Sequence, residues 1–432
     1  MVHRKSARID EATRRSFLER VARAAFGVSI LPFADDLFAA GPAGVVSAPT
    51  RRAEHVIYLF MNGAMSHIDS FDPKPGTDEG GETAAIQTSV PGVQIGEYLP
   101  RLAQMMNRVA VIRSMTTETG AHRQGCYVMR TSYKLIGSIR HPFLGAWLTH
   151  FSGKLNRNLP GSVLVGGANR HPAQGFLSAE VAPAPVASAA AGLQNTKPPK
   201  YLDERNFEKR RRLIARFESG FRSRYPTTEV QAYADYYTEA VRLLKSPDLE
   251  AFDISKEDEK TKEAYGSGRI GNGCLLARRL IEKKVRFVEV EVGGWDNHRD
   301  IYDGFADRAG ELDVAMTTLM TDLRQRGLLD TTLIVLGTEF GRTPKINANA
   351  GRDHHPGCFS MMLAGAGIRG GQVIGKTDEI GKSVEDESCY PADINATIAY
   401  ACGLPLDKDV ISPSGRPFRI ANDGAPLMSL FS

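Results

Sequence analysis

Leu333-Ile334-Val335-Leu336 is an apolar run with no polar face, and it stops abruptly at Gly337-Thr338-Glu339. A strand that alternates apolar and polar residues can leave one face in water. A run without alternation must be covered on both faces, which calls for a mostly parallel sheet with helices on either side. The pattern recurs along the chain. Residues 55–60 run into Met61-Asn62-Gly63, 109–112 lead through a Thr-rich loop to His122, and 162–165 end in Gly166-Gly167. Residues 285–292 end in Gly293-Gly294-Trp295-Asp296-Asn297-His298, and 359–364 form a further buried strand. Apolar residues at helical spacing (Leu312, Ala315, Met316, Leu319, Leu323) occupy 301–327, and a final helix over 393–402 ends at Gly403. Strands alternating with long helices define an α/β fold, a mostly parallel sheet with helices on both faces.

Two segments interrupt the alternation. Residues 179–200 are rich in Ala and Pro and read as a loop or linker. Residues 201–265 are charged and helical in pattern, so 179–265 reads as a linker and helical insertion covering one side of the sheet. Its basic run Lys209-Arg210-Arg211-Arg212 has acidic neighbours, which favours a solvated helix face over an anion or nucleic-acid site.

The N-terminus carries an address. Thr13-Arg14-Arg15-Ser16-Phe17-Leu18 is a twin-arginine motif, followed by an apolar stretch at 21–33 and small residues at 39–48. Residues 1–43 are expected to be removed after passage through the twin-arginine export machinery, leaving a periplasmic or secreted domain over 52–432. Pro32 ends the apolar stretch short of the ~20 residues of a membrane span, and no later segment reaches that length. Residues 1–43 hold seven Lys/Arg and five Asp/Glu, so their removal lowers the formal charge from +4 to about +2. That balance implies no nucleic-acid partner. Five scattered cysteines without CxxC spacing give no disulfide framework.

Polar groups gathered where parallel strands end mark the usual location of a site in an α/β sheet. Asp296 and His298 follow one strand, Glu339 and Arg342 another, and Asp353, His354 and His355 cluster ten residues beyond. Acids and imidazoles of this kind supply oxygen and nitrogen ligands for a divalent metal ion. Adjacent His354 and His355 point in different directions, so at most one of them faces a metal. Glu339 reads equally as a ligand or acid–base group and as the ion-pair partner of Arg342. Asp69 and Asn62, after the first strand, are further candidate ligands.

The last third resembles the alkaline phosphatase and sulfatase superfamily: a helix with Glu311-Leu312-Asp313, the turn Leu329-Asp330-Thr331-Thr332, and a helix from Pro391-Ala392-Asp393 to Gly403-Leu404-Pro405. Almost the whole remaining chain is similar to an exported bacterial family known as domain of unknown function 1501. The resemblance rests on the segment from Asn62 to Lys74, Gly294–His298, Glu339-Phe340-Gly341-Arg342-Thr343-Pro344 and Gly351-Arg352-Asp353-His354.

The superfamily resemblance implies metal ligands at Asn62 and Glu339-Phe340, where an aspartate and an Asp-His pair are expected, and at Asp296, His298 and His354 or His355. One metal subsite is thus depleted and the other retained. Tyr127–Thr131 resembles the end of the sulfatase signature, and the nucleophile position, nine residues before Thr131, is occupied by His122. No Ser, Thr or Cys stands there, which leaves His122 to bind metal, to act as general base or to be the nucleophile itself, with Thr117 and Thr119 as nearby hydroxyl alternatives. The implied function is a metal-assisted hydrolase of phosphate- or sulfate-like esters, such as a sulfated or phosphorylated glycan. In it Asp296, His298 and His354 hold the ion, His122 or Glu339 takes a proton from the attacking water, and Arg342 neutralises the anion. The ion is expected to be Zn²⁺, or Ca²⁺ if Glu339 and Asn62 meet in space. The alternative is a non-catalytic exported binding or assembly protein on the same fold.

Overall fold

In the computed structural model, β1 (His55–Asn62) lies in the middle of an eight-stranded sheet and is buried almost throughout. The structure describes residues 52–431 apart from 168, 195, 197–202 and 226, so the expected export signal lies outside the described residues. The other strands are β2 (Val109–Met115), β3 (Ser162–Val165), β4 (Ala184–Val186), β5 (Phe287–Gly293), β6 (Thr332–Gly337), β7 (Phe359–Ala364) and β8 (Gln372–Ile374). Their order across the sheet is β8-β2-β7-β6-β1-β5-β3-β4. All neighbours are parallel except β7, which runs against both β2 and β6.

Helices cover both faces. Those against the sheet include α1 (His122–Thr131), α2 (Leu144–Ser152), α5 (Arg269–Glu282), α6 (Ile301–Gln325) and α7 (Pro391–Ala401), while α3 (Glu204–Arg224) and α4 (Thr228–Lys245) form the insertion, in which α3 packs against α4. The two-residue period of a strand divides β1 between two cores. Ile57, Leu59 and Met61 join Leu275 and Leu280 of α5 and Leu312, Met316 and Leu319 of α6. Val56, Tyr58 and Phe60 join Met129 of α1, Trp147 of α2 and Ile394 and Ile398 of α7. This two-sided burial is what the unbroken apolar runs require. Truncating fully buried Leu59 to Ala is worth about 2–5 kcal/mol of lost stability.

The six strands expected from the sequence are present. Two edge strands were not legible: β8, and β4 inside the segment read as a loop. β4 is three residues long, and its Pro185, which has no N–H to donate, is tolerated at the sheet's edge. The helical insertion forms as α3 and α4, started by Asp203 and Thr227, whose side chains accept from the backbone N–H of Asn206 and Val230. Among the described residues no helix is long and apolar enough to cross a membrane.

Candidate metal centre

β1, β5 and β6 are adjacent and parallel, so their C-terminal ends open at one edge, with Asn62 opposite Gly293 and Phe60 opposite Gly337. Gly63 follows with φ +119°, and a Cβ there would lie 2.6 Å from the Asp296 backbone nitrogen. Only glycine lets the two loops close on each other. Trp295, buried against Phe305 with centroids 5.5 Å apart, anchors the loop that carries Asp296. After β6, Glu339 turns fully inward. Its Oε1 accepts from the Gly63 N–H at 2.8 Å and from His122 Nδ1 at 2.6 Å, and its Oε2 accepts from Thr338 Oγ1 at 2.9 Å. His122 opens α1, and Gly125 on the same helix comes so near that a Cβ would sit 3.0 Å from the Phe340 ring.

A small antiparallel pair, Gly341–Arg342 with His354–His355, sets His354 opposite Arg342. His354 Nδ1 lies 2.7 Å from the Gly120 carbonyl, which can only accept, so the proton is on Nδ1 and the lone pair on Nε2. The same logic applies to His298, whose Nδ1 donates to Asp353 Oδ1 at 2.8 Å. The two Nε2 atoms are 3.0 Å apart and each lies 3.1 Å from Asp296 Oδ1. His122 Nε2 faces Asp296 Oδ2 at 3.3 Å and has no hydrogen-bond partner. The ligand atoms of His122, Asp296 and His354 all lie within 4.8 Å of one another.

The charges are arranged around this point. Burial acts to raise the Asp296 pKa, but the Arg342 guanidinium, which donates to it, outweighs burial and holds the carboxyl at about 2. The hydrogen bond to Glu339 raises the His122 pKa, and the one from His298 lowers that of Asp353. Phe340, where a ligand was expected, packs its ring 5.0 Å from His122 and 4.9 Å from His354 and so fixes both imidazoles.

This donor set fits a divalent cation. Two lone pairs 3.0 Å apart repel unless a proton or a cation lies between them, and each imidazole has its other nitrogen held, as metal-binding histidines ordinarily do. Three carboxylates and one guanidinium leave the neighbourhood with two formal negative charges. Nitrogen-rich donors suit Zn²⁺ rather than Ca²⁺.

The other expected site residues lie elsewhere or act differently. Asn62 donates to Glu291 Oε1 at 2.7 Å and does not meet Glu339, whose Oε1 is taken by the neighbouring Gly63 N–H, so the pairing invoked for Ca²⁺ does not form. Asp69 is buried and saturated by Arg352 at 2.8 Å, Thr83 at 2.6 Å and Ser66 at 2.5 Å, away from the imidazoles. His355 turns away, with Nε2 2.6 Å from the Lys382 carbonyl. Arg342 is fully buried and donates to the carbonyls of Ala64, Gly63 and Arg352 and to Asp296. A guanidinium so engaged braces Asp296 and cannot clamp a substrate anion. Asp353 orients His298 and is itself steadied by Asn347 at 3.2 Å. The Gly120 carbonyl and Asn347 had no sequence signal, since a backbone acceptor and a loop amide look alike everywhere.

Half-exposed imidazoles and a carboxylate at the strand ends of a mixed sheet define an α/β protein with a candidate metal centre. More specifically, the chain belongs to the family described as protein of unknown function (DUF1501), whose model matches residues 53–431. No curated protein sequence matches it. Solved structures resemble it loosely. The PsFucS1 sulfatase from a Pseudoalteromonas species is 15% identical with a TM-score of 0.38, over 82% of this chain and 68% of that one. A Vibrio parahaemolyticus protein of the alkaline phosphatase superfamily is 10% identical with a TM-score of 0.40, over 88% and 71%. The alkaline phosphatase of the Antarctic bacterium TAB5 is 13% identical with a TM-score of 0.32, over 73% and 92%. Likeness at this level transfers no activity.

Proposed function

We propose that the protein is an exported, metal-assisted hydrolase of phosphate- or sulfate-like esters. The observation that carries the reading is the convergence of Asp296 Oδ1 and the Nε2 atoms of His298 and His354, mutually 3.0–3.1 Å apart. These three would hold a Zn²⁺-like ion, leaving a position open as catalytic sites do. When bound, the ion supplies Lewis-acid polarisation of the ester.

The chain's own residues do the rest. Asp353 and the Gly120 carbonyl fix the two rings, and Arg342 fixes Asp296. His122, with buried Glu339 behind it, has the arrangement of a general base. The carboxylate holds the tautomer with its proton on Nδ1 and steadies the imidazolium formed when Nε2 takes a proton from the attacking water. No side-chain nucleophile stands at this position, so water attacks directly. The first turn of α1 has no side-chain cap, and its free N–H groups favour an anionic ester, such as a sulfated or phosphorylated glycan.

One observation favours the second reading, a non-catalytic binding or assembly protein: Arg342 already neutralises Asp296. Solvent ¹⁸O separates the mechanisms. Direct attack places the label in the phosphate or sulfate product with no enzyme-bound intermediate, whereas a quenched reaction containing an adduct on His122 contradicts it. Export is tested separately: replacing Arg14 and Arg15 with Lys leaves the precursor in the cytoplasm, and normal export of that variant rules out the twin-arginine route.

A further inference from the structure

Among the described residues, six of the ten exposed large hydrophobic side chains lie in the α3–α4 hairpin. On α3, Leu213, Phe217 and Phe221 recur every four residues with Tyr225 just beyond, forming one stripe, and Ile214 lies beside it. Phe217 is 71% exposed and Leu213 and Phe221 are 53% exposed, so the stripe faces solvent. The helix carries eight Lys/Arg against three Asp/Glu, and of the acids Glu208 is committed to Arg211 and Lys245. Lys209, Arg212 and Arg216 run along one flank of the stripe, and none has an ion-pair partner among the described residues.

We infer that this helix docks on an anionic lipid surface, with Leu213, Phe217 and Phe221 entering the headgroup boundary and the flanking cations meeting lipid phosphates. A basic face beside an apolar one is the pattern of helices that lie in a membrane interface. A soluble polyanion would satisfy the cations and leave both Phe rings in water. A second copy of the chain would cover the rings but set two rows of like charge against each other. An anionic bilayer takes both features at once. The inference rests on α3 alone, which contributes no residue to the metal centre.

The test is co-sedimentation of the full chain with phosphatidylglycerol/phosphatidylcholine vesicles and with phosphatidylcholine vesicles, at low and high salt. The protein is expected to partition onto the first and not the second, and raised salt is expected to weaken binding as screening shortens the reach of each cation. Phe217→Ser with Phe221→Ser should lower partitioning roughly tenfold or more. Lys209→Glu, Arg212→Glu and Arg216→Glu together, all at exposed positions, should abolish the preference for anionic vesicles, and this variant decides the question if the first fails to fold. Absence of binding at low salt overturns the inference, as does binding indifferent to either set of changes. So does a vesicle-free dimer that the Ser variant dissociates.

Discussion

Glu289 lies inside β5 and Asp296 three residues beyond its end, yet one carboxylate is sealed and the other is open. Glu289 accepts from Arg130 Nε at 2.7 Å and lies 3.2 Å from His171 Nε2, Arg130 also reaches Glu291 at 2.6 Å, and its guanidinium lies 4.1 Å over the Phe60 ring. Burial pushes the Glu289 pKa up, but Arg130 and His171 outweigh it and hold the group at about 2. Each charge there faces an opposite one within the core. Around Asp296 the imidazoles of His298 and His354 present lone pairs to one another, and His122 Nε2, 3.3 Å from Asp296 Oδ2, has no hydrogen-bond partner. The same residue types therefore make a closed ion-pair network in one place and an open, ligand-shaped gap in the other. A network complete in itself supports folding, whereas an incomplete one is finished by something that binds.

The sharpest way to break this contrast is in turnover. His122→Ala should slow an observed metal-dependent hydrolysis by about 10²–10⁴-fold, the range for losing a general base, with the fold intact by circular dichroism. Full activity in that variant removes His122 from the mechanism. In the sealed cluster the effect should appear in stability instead. Arg130→Met leaves Glu289 buried without its cation and should lower unfolding free energy by about 3–5 kcal/mol in urea titrations at pH 7. Because the folded pKa of Glu289 is depressed, its contribution is present above the ordinary carboxylate range and lost as pH falls toward about 2. The gap between wild type and Arg130→Met should therefore narrow on acidification, and a gap that widens would refute the assignment.

Smaller shifts sharpen the picture. The proposed role of His122 as base requires an unprotonated Nε2, so activity is expected to rise with pH through its pKa, which Glu339 raises. Glu339→Gln removes that anion and should move the acid limb of the rate profile to lower pH. An unmoved limb would separate the limb from this pair. Smallest is Asp313 of α6, which accepts from the N–H groups of Arg101 and Leu102 and so caps the short helix Pro100–Gln104. Asp313→Ala should cost about 0.5–2 kcal/mol of thermal stability, with no change in metal content.

Much of this was legible in the sequence, for reasons that differ by element. Strands buried on both faces announce themselves as unbroken apolar runs, so β1, β5 and β6, and with them the edge where the site lies, could be read directly. Asp296, His298 and His354 stood out because polar groups cluster after those runs. The roles of Arg342 and Asn62 could not be read, because a lone arginine beside a strand end resembles an anion clamp until packing places it beneath a carboxylate. Asn62 turns toward Glu291, 229 positions away, through a strand pairing that no local pattern encodes. The spacing of Leu213, Phe217 and Phe221 was present in the sequence, but only the structure says that nothing among the described residues covers them.

The central claim is that Asp296, His298 and His354 hold a metal ion, and metal analysis of the purified protein tests it most directly. Wild type, His122→Ala and the control His150→Ala are predicted to carry roughly one transition-metal ion per chain, while Asp296→Ala and His354→Ala lose most of it. A folded, metal-free wild type, or equal metal content in all five proteins, would contradict the account.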